Sequence, residues 1–171
     1  MATLALVIAR QRNRGSYMVN RPKAKGTAAE TAVVRWLVSM GWTDARRNVL
    51  AGRDDDGDID PIPVDPPPII ISVKNGYGGR ACVTCNHIRP VNTSTAQFQE
   101  WWAELGKVAD RRNPNALTLL VVKRAGKTDP EYWHWFAHSG HFSTNQTLGV
   151  VEITGKQAKT IMRAYVARYG V

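Results

Sequence analysis

Cysteine is scarce in this chain. There are two in 171 residues, Cys82 and Cys85, in a CVTC segment with His87 close by. No second Cys-x-x-Cys follows, and a structural zinc site takes four ligands, so the expectation is reduced thiols in a loop. Long apolar runs are lacking too. None approaches the roughly 20 residues that cross a bilayer, so no membrane association is expected. The first apolar stretch, Leu4–Ala9, is short, and its basic residues follow it rather than precede it. That argues against a secretory signal and for a cytoplasmic protein. No internal repeat is visible. Acidic residues are absent from the first 25 positions, although Arg10, Arg12, Arg14, Arg21, Lys23 and Lys25 all fall there.

That last absence divides the charge. The net charge is +9 and the remaining 146 residues carry only +3 of it. A mildly basic domain therefore follows a strongly basic arm. Such an arm suits salt-sensitive phosphate contact, or it is a solvated leader. Residues 1–22, with Gly15 and Pro22 and no sustained periodicity, read as a flexible arm, and residues 23–171 as one domain.

Periodicity predicts the elements. Thr27 is placed to cap a helix, with Glu30 at the capping-box spacing. Ala29, Val33, Val34, Leu37 and Met40 recur at helical intervals up to Gly41. A short strand is expected over Arg47–Leu50, then an acidic turn over Ala51–Gly57 and a strand over Asp58–Val64. Ile69–Val73 is a β-branched run broken only by Ser72, as in a buried central strand. Gly76–Thr95 reads as a long loop and Ser94–Arg112 as a second helix. Leu117–Val122 and Tyr132–Phe136 read as strands, and Thr154 caps a last helix. Helix, three strands, helix, two strands, helix predicts an α/β layer fold with a mixed sheet.

Three residues carry candidate chemistry. Glu30 sits on the apolar face of its own helix, where a carboxylate needs a cation or a metal. Asp58 follows Gly57 and opens a strand. Asp60 shares its parity and competes for the same role. Lys74 ends a buried strand, where it either snorkels to water or helps to hold or deprotonate an attacking water. Hard cations such as magnesium take oxygen ligands and keep several waters, which suits phosphodiester hydrolysis. The carbonyl of Val73 would complete a half-cage with Asp58 and Glu30.

The pattern Lys25-Gly26-x3-Glu30, Gly57-Asp58-Ile59 and Ile71-Ser72-Val73-Lys74-Asn75 resembles that of PD-(D/E)XK nucleases. Within them it looks most like archaeal-type and phage Holliday junction resolvases. Those begin with a KG-x3-E helix, continue with a GD or PD strand and end in an E-V-K strand. The helix around Gln99-Glu100-Trp101-Trp102-Ala103-Glu104 and the strand end at Val121–Lys127 also resemble the phage branch. The resemblance implies a restriction-endonuclease-like mixed β-sheet flanked by helices, with Glu30, Asp58 and Lys74 catalytic. It further implies magnesium (manganese substituting), a homodimer, and four-way DNA junctions as substrate. For a phage-encoded protein the compartment is the host cytoplasm.

One departure matters. The second strand carboxylate is replaced by Ser72. Some restriction enzymes of this superfamily show S-x-K, with the glutamate moved to the next helix, where Glu100 or Glu104 stands here. Otherwise the protein binds DNA without cutting it. Arg21, Lys23, Lys25, Arg46, Arg47, Lys123, Arg124 and Lys127 are the expected phosphate contacts. Six tryptophans are many for this length. They serve packing, or they stack on unpaired bases. A nuclease acting on duplex or single strands and, more weakly, an RNA-binding protein are the rival readings.

Overall fold

The computed structural model describes residues 21–48, 57–75, 95–141 and 149–169. The arm before Arg21, the acidic turn before Gly57, the loop before Thr95 and the Cys82, Cys85 and His87 group lie outside them. The side chains of Arg21 and Lys23 also lie outside.

The chain folds into three layers. Helix α1 (Arg21–Ser39) leads into strands β1 (Arg46–Arg47), β2 (Ile59–Asp60) and β3 (Ile69–Lys74). Helix α2 (Thr95–Arg112) crosses to β4 (Leu117–Val122). Then come β5 (His134–His138), β6 (Val150–Ile153) and helix α3 (Gly155–Tyr169). The six strands lie in sequence order. Among the described residues only β3 and β4 pair in parallel, joined by α2, and the other pairings are antiparallel.

Both faces of the sheet are covered, which is why β3 and β4 read as continuous Ile, Leu and Val runs rather than alternating ones. On one face Ile69, Ile71, Leu119, Val121 and Trp135 pack against Val33, Trp36 and Leu37 of α1 and Met162 of α3. On the other, Ile70, Leu120, Val122 and Phe136 meet Trp101, Leu105 and Val108 of α2. Trp36 and Trp135 rings sit 5.0 Å apart, centroid to centroid. Trp101, Trp133 and Trp135 are buried, so packing is the role of these three indoles.

Several expectations change. α1 already runs over residues 21–26, ahead of Thr27. Thr27 is therefore helix interior rather than a cap, and its carbonyl accepts from Thr31 Oγ1 at 2.8 Å. The capping box exists instead at α3. There Thr154 Oγ1 accepts from Gln157 N, and Gln157 Oε1 accepts from Thr154 N. β2 is much shorter than Asp58–Val64. β5 starts two residues later than expected, because Pro130–Tyr132 forms a turn of 3₁₀ helix. β6 has no counterpart among the expected elements.

Candidate active site

Gly57 sets the geometry from below. Its φ is +80°, and a Cβ there would lie 2.8 Å from Ile70 Cγ2. Only glycine fits both the backbone and the gap. The next residue is pinned to its neighbours on both sides. Asp58 N donates to Ile71 O at 3.0 Å, and Asn48 N donates to Asp58 O at 3.0 Å. The Asp58 carboxylate consequently faces β3. Its Oδ2 accepts from Val73 N at 2.5 Å and from Ser72 Oγ at 3.1 Å. Both bonds fall on Oδ2, and Oδ1 accepts none from the described residues.

Burial pushes the Asp58 carboxyl above its usual range. The Val73 N–H and the Lys74 charge pull the other way, the Glu30 charge raises it further, and the Ser72 hydroxyl opposes weakly. Desolvation prevails, and among the described residues no cation is paired directly with this carboxylate. Glu30 therefore lies near enough for its charge to act on Asp58, although it stands on α1.

Glu30 has a cation of its own. Arg47 Nε donates to Glu30 Oε2 at 2.7 Å, and the guanidinium Nη2 also contacts it. Arg47, expected as a phosphate contact, is thus the counter-ion of a candidate ligand. The start of α1 is tied to the end of β3, since Asn75 Nδ2 donates to Lys25 O at 2.6 Å. Lys74 reaches the opposite layer, with Nζ 3.4 Å from Glu104 Oε2 on α2. So Glu30, Asp58, Ser72, Val73, Lys74 and Glu104 come together at one end of the sheet. Glu100 does not join them. It is exposed, and its Oε2 accepts from Gln97 one turn earlier.

Asp60 is excluded by its partner. It is 2% exposed and accepts a two-pronged ion pair from Arg112, at 2.8 and 2.9 Å. A carboxylate satisfied on both oxygens by a fixed guanidinium is structural. Sequence reasoning missed Arg112, whose only signal is a basic residue in the last turn of α2.

The remaining cations spread over the surface. Arg46 and Lys25 are exposed. Lys123 Nζ lies 5.5 Å from the Trp133 ring centroid and Lys127 Nζ 5.8 Å from that of Tyr132, with half-buried Arg124 between them in sequence.

Among the described residues no three His, Cys, Asp or Glu side chains stand close enough to form a metal cage. The donor set that exists is sparse and all oxygen. It comprises the open Oδ1 of Asp58, Glu30 and the Val73 carbonyl, which belongs to the same residue as the N–H bound to Asp58. That set suits a hard ion keeping most of its waters, whose positive charge would offset the desolvation of the Asp58 carboxylate. It does not suit a closed four-ligand site. No protein-family model matches the chain, and no curated protein or solved structure is significantly similar to it.

Proposed function

We propose that this protein is a metal-dependent endonuclease that hydrolyses phosphodiester bonds in DNA, with branched DNA such as a four-way junction as its substrate. The observation that carries the proposal is a half-buried, desolvated carboxylate, Asp58, with one open oxygen and no paired cation among the described residues, beside a lysine at the end of a central strand. The resemblance of the Glu30, Asp58 and Ser72-Val73-Lys74 motifs to PD-(D/E)XK nucleases supports the same reading.

Magnesium, or manganese in its place, would be held by Asp58 Oδ1, Glu30 and the Val73 carbonyl, and would supply positive charge to the phosphate in the transition state. Lys74 orients the attacking water by its Nζ. The water oxygen bonds to phosphorus, the bond to the 3′ oxygen breaks, and a 5′ phosphate and a 3′ hydroxyl result. Glu104 holds Lys74 from the far side, at 3.4 Å. Ser72 contributes a hydrogen bond that orients Asp58, not a charge. Glu104 thus provides the carboxylate missing from β3, one layer away. Symmetric cutting of a junction requires two such sites related by a dyad, hence a homodimer.

The test is cleavage of a labelled four-way junction beside matched duplex and single strand. It is run with magnesium, with EDTA, and with Asp58→Ala. Paired nicks on the junction alone, lost in EDTA and in the variant, support a resolvase. Cutting of every substrate supports a general restriction- or repair-type nuclease. Tight binding without cutting supports a catalytically inactive DNA-binding protein, in which Ser72 in place of a strand carboxylate has cost the activity.

A further inference from the structure

Tyr132 is the one large aromatic with an exposed side chain among the described residues, at 57%. It does not dangle. It closes the 3₁₀ turn Pro130–Tyr132, whose start is capped by Asp129 through Glu131 N at 2.9 Å. Two buried indoles brace the same segment. Trp133 Nε1 donates to Lys127 O at 3.0 Å, and Trp135 Nε1 donates to Pro130 O at 2.8 Å. Behind it α3 packs so closely that a Cβ on Gly155 would lie 2.7 Å from Glu131 Cα. The backbone that carries this exposed ring is firmly held and has little conformational entropy left to lose when something binds there.

The surroundings indicate what binds. Lys127 stands over the Tyr132 ring, and Lys123 and Arg124 precede it on the same connection. The nearby carboxylates are occupied. Asp129 serves as the cap, and Glu131 Oε1 is 3.6 Å from Lys156 Nζ. A flat ring flanked by cations matches a base with its phosphates. The position fits as well. Lys74, Val122 and His134 share one rung of the sheet. At about 4.8 Å per strand, His134 is roughly 10 Å across from Lys74. Tyr132, two residues before His134, lies beyond the same end of the sheet as the candidate active site.

We infer that Tyr132 is a stacking platform for an unpaired DNA base, with Lys123, Arg124 and Lys127 holding the adjoining phosphates. The inference rests on the nuclease reading and names the feature of the substrate that it selects. A duplex hides the faces of its bases, whereas a single-stranded segment or a branch point offers them. Tyr132 thus takes the role that the buried tryptophans cannot.

The experiment measures affinity in EDTA, so that binding is read without cleavage. The probes are a single-stranded oligothymidine and a duplex of equal length. Tyr132→Ala is expected to weaken the single strand about 5- to 150-fold. The duplex should change by less than about twofold, and Tyr132→Phe should keep the single-strand affinity because the ring remains. Thermal unfolding should not move, since the side chain is exposed. Unchanged single-strand affinity in Tyr132→Ala, or equal loss on both probes, overturns the inference while leaving the nuclease reading intact. Wild-type protein that does not bind the single strand also overturns the inference, and the nuclease reading falls only if the four-way junction is neither bound nor cut.

Discussion

Replacing Gly57 by alanine tests how Asp58 is placed. Two costs follow from the structure. At φ +80° an L side chain crowds its own backbone, which costs about 1–2 kcal/mol. The new Cβ would also lie 2.8 Å from Cγ2 of Ile70. Ile70 is fully buried in a central strand and has a stiff, β-branched side chain, so it cannot swing away. Overpacking of that kind adds about 1–3 kcal/mol. The total is about 2–5 kcal/mol, a large part of the stability of an ordinary domain. Gly126 supplies the control. Its φ is +73° and nothing lies within 4 Å of the place a Cβ would take, so Gly126→Ala carries the backbone cost alone. Urea unfolding of both variants, with unchanged m values, separates the two contributions. The packing cost should also be visible in function, because Asp58 is the adjacent residue and moves with the strand. Equal losses of stability in the two variants would refute the close-approach argument.

The charge on Asp58 gives a prediction with a definite sign. Its folded pKa is raised, so the native state binds more protons than the unfolded chain between the two pKa values, and stability falls as pH rises through that window. Asp58→Asn should therefore unfold at a higher temperature than wild type at neutral pH. The advantage should vanish in acid below about 3.9, where both forms are uncharged. Magnesium should raise the melting temperature of wild type and leave Asp58→Asn unmoved, and a metal response in the variant would place the ion elsewhere. Asp60→Asn should behave in the opposite way, losing roughly 3–5 kcal/mol because it breaks the two-pronged ion pair with Arg112; a loss under about 1 kcal/mol in urea titration would reopen Asp60 as a site residue. Glu104→Gln should slow junction cleavage while changing stability by no more than about 1 kcal/mol, its carboxylate being 55% exposed. A Glu104→Gln enzyme that cuts at the wild-type rate would remove Glu104 from the site.

Local signals determined a good deal of this protein. The Ile69–Lys74 and Leu117–Val122 strands stand out because burial on both faces demands an unbroken apolar run. α2 and α3 are legible because a helix packed on one side must repeat its apolar positions. The α/β class and the candidates Glu30, Asp58 and Lys74 follow from these elements and their order. β6 was not legible, since four residues at a sheet edge, three of them half-buried, need no pattern strong enough to notice. The start of α1 is hidden because Thr27 and Glu30 have the spacing of a cap, and spacing cannot say whether the helix has already begun. Asp58 and Asp60 have the same parity and similar neighbours in sequence. What separates them is Arg112, 52 residues beyond Asp60, which pairs with Asp60, whereas among the described residues no cation pairs with Asp58. The same holds for Glu30 with Arg47, for Lys74 with Glu104, and for the exposure of Tyr132 beside buried tryptophans. Periodicity is a property of neighbouring residues, whereas ion pairing and desolvation depend on which distant side chains the fold brings within a few ångströms.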